Sequence, residues 1–143
     1  MRIEGEWRET LLTVPRPYLR AHLESHDGSW VECIFLIDTG ADRTVVAADG
    51  VRQPGRPTAP ALRQLVGIGG PVETLELWTT LRLTATTGDR MNVAGQYATT
   101  IESTVGESIL GYDILHMFAL IVDRPRAAVC LICPPHRYTI SSG

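Results

Sequence analysis

Phe35-Leu36-Ile37-Asp38-Thr39-Gly40-Ala41-Asp42-Arg43-Thr44-Val45-Val46 sets an acid, a hydroxyl and a glycine between two apolar runs. The run ahead of Asp38, Trp30–Ile37, is apolar almost throughout, the pattern of a strand covered on both faces. A carboxylate at the end of such a strand is out of place unless it is paired or put to use. Thr39 adds a hydroxyl that can bond locally, and Gly40 lets the backbone turn or another chain come close. The tripeptide Asp-Thr-Gly occurs once, and no internal repeat supplies a second. Taken alone it also fits a strand-to-loop turn closed by a capping aspartate.

Turn signals follow at short intervals on either side. His26-Asp27-Gly28-Ser29, between the apolar runs 18–25 and 30–37, predicts a hairpin. Gly69-Gly70-Pro71 reads as the tip of another, between strands around Leu62–Ile68 and Glu73–Leu83. Thr87-Gly88-Asp89 turns into a strand containing Met91–Ala98. Val51 to Pro60 holds three prolines and a glycine and reads as a loop kept out of any sheet. The best helical stretch is short, Gly111–Phe118. A strand at Ala119–Val122, a turn at Asp123–Arg126 and a last strand at Ala127–Ile132 come after it. About seven short strands with one brief helix indicate a mostly β barrel or sandwich.

The chain has 143 residues, enough for one domain that buries roughly 70% of its unfolded surface without disulfide staples. Residues 15–135 form the expected domain, with an N-terminal segment at 1–14 and a C-terminal tail at 136–143. A net charge of -3 and 6% aromatic residues give no support to a nucleic-acid partner. No apolar stretch approaches the roughly 18 residues of a membrane span, and the charged N-terminus lacks the features of a signal peptide. Three cysteines, an odd number, suit a reducing compartment, so the expected location is cytoplasmic.

The stretch from Phe35 to Val46 resembles the active-site signature of the retropepsins, the retroviral-type aspartic proteases, almost residue for residue. Val66-Gly67-Ile68-Gly69-Gly70 is similar to the glycine-rich tip of their flap. Ser108-Ile109-Leu110-Gly111-Tyr112-Asp113-Ile114-Leu115 resembles the hydrophobic-hydrophobic-Gly element that leads into their short C-terminal helix. The three elements fall in the family's order, and the resemblance runs from Arg16 to Ile132.

It implies a retropepsin-like closed barrel, one lobe per chain, acting as a homodimeric endopeptidase on an extended peptide, with no cofactor and no metal. Asp38 would be the catalytic residue, one from each subunit. Thr39 and Gly40 would hold the active-site loops together across the two-fold axis. Ala41, Asp42, Gly67, Ile68 and Gly69 would meet substrate, and Gly111 would pack behind the loop.

Some positions depart from that pattern. Tyr112 stands where viral members often carry an arginine that pairs with the acid at the Asp42 position, so Arg16 is the candidate partner for Asp42. Arg43 replaces a common acid and should alter a subsite. The C-terminal hairpin looks more like that of cellular retropepsin-like domains.

Other features read as structural. Cys130-x-x-Cys133 with His136 falls short of a four-ligand metal set and reads as packing. His22 and His26 lie in strand-like sequence and lack the glutamate of a helical zinc motif. Trp7, Trp30 and Trp78 are scattered and are expected to pack. A non-proteolytic dimerisation or peptide-binding module on the same fold is the alternative function, because fold alone does not imply activity. An intact Asp-Thr-Gly favours the enzyme: a scaffold has no use for two facing carboxylates.

Overall fold

The computed structural model describes residues 1–10, 13–47, 58–60, 65–67, 70–72, 74–100, 106–137, 139 and 141. Strands β1 (Arg2–Glu4) and β2 (Glu6–Thr10) precede a long hairpin of β3 (Thr13–Glu24) and β4 (Trp30–Ile37). Short strands follow: β5 (Val45–Val46), β6 (Thr58–Pro60), β7 (Leu65–Gly67) and β8 (Gly70–Val72). A second long hairpin, β9 (Thr74–Thr84) and β10 (Arg90–Thr100), leads to β11 (Ser108–Leu110) and the helix α1 (Tyr112–Leu115). A closing hairpin of β12 (Ala119–Asp123) and β13 (Ala128–Ile132) completes the fold.

The two long hairpins are built alike. Each turns on a glycine in the left-handed region, Gly28 at φ 82° and Gly88 at φ 89°, a conformation side chains resist. In each the glycine N–H donates three residues back, to Ser25 O at 3.1 Å and to Ala85 O at 2.9 Å. The hairpins then exchange strands. After β4 the chain crosses to pair β5 in parallel with β10, at Ala98↔Val45. After β10 it crosses back to pair β11 in parallel with β4, at Ser108↔Phe35. The two exchanged strands meet antiparallel at Ile109↔Val45. A pairing of β3 with β9, at His22↔Arg82 and Leu23↔Leu81, links the hairpins on their far side. The architecture is thus mostly β and two-fold in plan, although no repeat is visible in the sequence.

Strand alternation fills the space between the hairpins. Leu19, Ala21 and Leu23 of β3, Phe35 and Ile37 of β4, and Leu77, Leu81 and Leu83 of β9 point inward, with Val46 and Leu110 from the exchanged strands. Fully burying one such side chain contributes about 1.5–3 kcal/mol.

A smaller sheet of order β1-β13-β12 packs against this core through Ile3, Val129 and Leu131. Gly5 is where the chain passes from that sheet into β2, which pairs with β3. Its N–H donates to Val129 O at 2.8 Å. A Cβ here would lie 2.6 Å from Tyr18 O and 2.6 Å from Val129 Cγ1, so only glycine fits.

Several elements differ from the sequence reading. Within the stretch read as an N-terminal segment, Arg2–Glu4 forms β1, Glu6–Thr10 forms β2, and β3 begins at Thr13. Thr58–Pro60, read as loop, forms β6. Proline is tolerated there because, among the described residues, β6 is the outermost strand of its sheet and pairs only with β9. Trp78, expected to pack, is 57% exposed, whereas Trp7 packs on the core and Trp30 lies under the Arg82 guanidinium at 3.4 Å. Among the described residues no helix is long and apolar enough to cross a membrane.

Replacing Gly5 with alanine should lower the unfolding free energy by about 1–3 kcal/mol in urea titrations, since neither neighbour is the free end of a flexible side chain. The matched control is Gly106→Ala, where an added Cβ meets nothing within 4 Å, and there stability should change by less than about 0.5 kcal/mol.

Candidate active site

Asp38 is the first residue beyond β4, at the point where the chain leaves its own hairpin. Its N–H continues the ladder to β11, donating to Leu110 O at 3.2 Å. Its Oδ1 accepts the Gly40 N–H at 2.9 Å, and its carbonyl accepts the Ala41 N–H at 3.3 Å. A Cβ on Gly40 would sit 3.2 Å from the same Oδ1, so the glycine keeps the carboxylate clear. Asp38 is half-buried, while Thr39 and Gly40 are exposed beside it. An open cleft of about 490 Å³ lies in front, walled by Pro17, Ile37, Asp38, Thr39, Leu120 and Val122.

Behind the loop, α1 and its approach hold it from the other side. Tyr112 N–H donates to Ala41 O at 2.7 Å and Asp113 N–H to Asp42 O at 3.2 Å. Thr44 is buried, yet every polar group it carries toward α1 is satisfied. Its N–H and its hydroxyl both donate to Asp113 Oδ1, at 2.9 and 2.7 Å, and its Oγ1 accepts the Gly111 N–H at 3.0 Å. Gly111 lies so close to the loop that a Cβ would fall 2.4 Å from the Arg43 carbonyl carbon.

Arg43 fixes the loop to the second hairpin. Its two amino nitrogens make a fork with the Glu76 carboxylate, both at 2.7 Å, and one of them also reaches Gln96 O at 3.2 Å. Glu76 is 4% exposed near the start of β9. The arginine's hydrogen bonds hold the Glu76 carboxyl below the usual glutamate range despite its burial, and the same pairing raises Arg43. Arg43 is therefore engaged as a strut between the loop and the second hairpin.

Arg16 does not meet Asp42 within the chain. It lies 3.8 Å from Glu107, because it shares a strand face with Tyr18, whose hydroxyl donates to Glu107 Oε1 at 2.6 Å. Burial and this bond to an acid push the Tyr18 phenol up. The Asp42 side chain is exposed and Ala41 half-buried.

A second hollow, of about 390 Å³, has Tyr18, Cys33 and Glu107 among its walls and does not include Asp38. Burial raises the Cys33 thiol there to about 11, which leaves it an inert packing residue. Of the flap residues, Gly67 ends β7 and pairs with Gly70, while Ile68 and Gly69 lie outside the described residues. Cys130 is buried and Cys133 half-buried, and no metal-binding group of three or more His, Cys, Asp or Glu forms among the described residues.

A family model, retroviral aspartyl protease, matches residues 13–122. The chain belongs to this family. Among solved structures it is similar to EIAV protease complexed with the inhibitor HBY-793. That match has 23% identity and a TM-score of 0.53, over 76% of this chain and 91% of that one. It is also similar to a retropepsin-like aspartic protease from Rickettsia conorii, at 16% identity and a TM-score of 0.58, over 92% of this chain and 88% of that one. At these identities the likeness concerns the fold, and it agrees with the retropepsin-like architecture. No curated protein matches the chain.

Thr44, Asp113, Glu76 and Glu107 were not singled out from the sequence. Glu76 had a signal, an acid inside the apolar run Leu75-Glu76-Leu77, which calls for a cationic partner.

Replacing Thr44 with valine keeps the shape but strands the Gly111 N–H, and should cost about 1–3 kcal/mol in denaturant titrations. The Glu76 pair gives a pH signature. A carboxyl whose folded pKa lies below its unfolded value of about 4.3 adds stability that is complete above about pH 5. That stability is lost as pH falls through the lowered folded value. The stability gap between the native chain and Glu76→Gln should accordingly be widest near neutral pH and close in strong acid.

Proposed function

We propose that this chain is an aspartic endopeptidase that works as a homodimer, each subunit contributing its Asp38 to one catalytic pair. The observation that carries this reading is a single Asp-Thr-Gly, held on a braced loop with its carboxylate at the mouth of an open cleft. One carboxylate cannot serve as both base and acid on the same amide, so a second copy supplies the other.

Two carboxylates at close range do not both ionise, and the pair holds one proton between them. The ionised group takes a proton from a water that attacks the scissile carbonyl carbon. The protonated group hydrogen-bonds the carbonyl oxygen and transfers its proton as the tetrahedral intermediate forms. Collapse of that intermediate breaks the C–N bond, with a proton passing to the leaving nitrogen. No covalent enzyme intermediate, metal or cofactor takes part.

Thr39, exposed beside Asp38, bonds across the two-fold axis, and Gly40 leaves room for the peptide backbone. Asp42 and Ala41, next along the loop, meet the substrate in the dimer, where Asp42 accepts substrate N–H groups or meets Arg16 of the second copy. The β7–β8 hairpin closes over the bound peptide, and Gly67, Ile68 and Gly69 contact it. The peptide lies extended, adding strand-like hydrogen bonds to the cleft and the hairpin.

Incubation of a diverse peptide library from about pH 3 to about pH 8, native chain beside Asp38→Asn, tests this reading. The native chain should cut best below neutral pH, since the pair must retain its proton. Asp38→Asn should lose at least about a hundredfold in rate while keeping its assembly state in sedimentation. Equal cutting by both proteins would refute the mechanism. A dimer that binds peptides and never cuts them would instead point to a binding module.

A further inference from the structure

Among the described residues no strand pairing joins the Asp38 loop to β9, since β5 pairs with β10 and β11. The Arg43–Glu76 fork spans that gap. Where Glu76 stands on β9 gives the fork its meaning. β9 begins just after β8, and β6 precedes β7, so these two strands lead out of the β7–β8 hairpin and into it. They pair with each other at Thr58↔Leu77, Ala59↔Glu76 and Pro60↔Leu75. Those pairs are the root of the hairpin, and Glu76 belongs to the middle one.

Alternation along β9 sends Leu77 into the core and Glu76 to the other face, where Trp78 is exposed. A buried carboxylate needs a cation close by, and the guanidinium of Arg43 is the one it meets. The further bond from Arg43 to Gln96 O fastens the same group to β10, which pairs with β9 from Arg90↔Thr84 to Thr100↔Thr74. At its other end Arg43 follows Asp42, whose carbonyl accepts the Asp113 N–H. Two parallel N–H···O bonds fix direction as well as distance, which a single point contact does not. One side-chain pair thus connects the Asp38 loop stiffly to the hairpin root.

Building on the endopeptidase reading above, we propose that Arg43 and Glu76 are a positioning pair that sets the spacing between the β7–β8 hairpin and the Asp38 loop. Neither residue touches the reacting atoms. The peptide is gripped between loop and hairpin, so their spacing decides what share of chains stands ready to bind it. Apparent affinity falls in proportion to that share. Without the fork the root is held by its strand neighbours alone and the spacing drifts. Peptide then binds more weakly. The Asp38 loop is still braced by Thr44 and Gly111, so a peptide once bound is cut at the native rate.

Steady-state kinetics on the peptide that the native chain cuts fastest in the library above tests the proposal, with the dimer population of every form matched by sedimentation. The altered forms are Glu76→Gln, which keeps the shape of the side chain, Arg43→Gln, and the double variant, which leaves neither charge unpaired. Each single change should raise KM roughly three- to tenfold, with kcat within about twofold of the native value. The double variant should raise KM no further than the worse single one, because the two residues act through one contact.

A strut that only stabilises the fold gives the opposite split: some chains unfold, kcat per chain drops, and KM stays native. That result overturns the positioning role and leaves the endopeptidase reading standing. KM increases that multiply in the double variant overturn it as well. Arg43→Gln strands a buried carboxylate, and should it fail to fold, Glu76→Gln decides alone, a native KM counting against the pair. A native chain that cuts nothing in the library overturns the endopeptidase reading and this inference with it.

Discussion

The Thr44 hydroxyl accepts the Gly111 N–H and gives its own proton to Asp113 Oδ1, joining two stretches of chain that cross between the hairpins. Without that junction the exchange of β5 and β11 would leave two backbone connections passing each other with their polar groups unpaired. Burial of Thr44 makes the arrangement all-or-none, since a buried donor or acceptor left unmatched costs about as much as several well-made bonds contribute. Asp38 inherits its position from this junction. Its N–H is bonded to Leu110, its loop is backed by Gly111, and the two carbonyls after Gly40 are taken by the first residues of α1.

The bracing is one-sided. Toward the core and the second hairpin the loop is tied by Thr44, by Gly111 and by the Arg43–Glu76 fork. Toward the cleft, Thr39, Gly40 and the Asp42 side chain are exposed. A side chain placed this way keeps its geometry without being covered, which suits the proposed chemistry on an extended peptide lying across it. β12 walls the same cleft through Leu120 and Val122, so the braced parts lie toward the core and the exposed parts face outward.

Local pattern was enough to read much of this. The apolar run ending at Asp38 and the glycine turns at Gly28 and Gly88 carry short-range signals, and β3, β4, β9 and β10 were legible from them. The resemblance to retropepsins added the family and Asp38 as its centre. Proline hid β6, because an edge strand tolerates what a central strand refuses. Charges at Arg2, Glu4, Glu6 and Arg8 hid β1 and β2, whose order comes from β13 and β3 rather than from their own composition. Thr44, Asp113 and Glu76 escaped notice for a deeper reason. Each acts on a partner more than thirty residues away, and pairings of that kind are decided by topology, which no window of sequence contains.

The separation between Thr44 and its partners also bears on when the site comes into being. The bonds that brace the Asp38 loop join residues 67 and 69 positions apart, and they close only after both long hairpins exist. Contacts of such high order form late in folding, and on a ribosome they wait for the C-terminal third of the chain to emerge. A nascent chain that has made Asp-Thr-Gly but not Gly111 carries Asp38 without its geometry. On the proposed protease reading, the order of synthesis thus withholds the braced loop until most of the chain has been made.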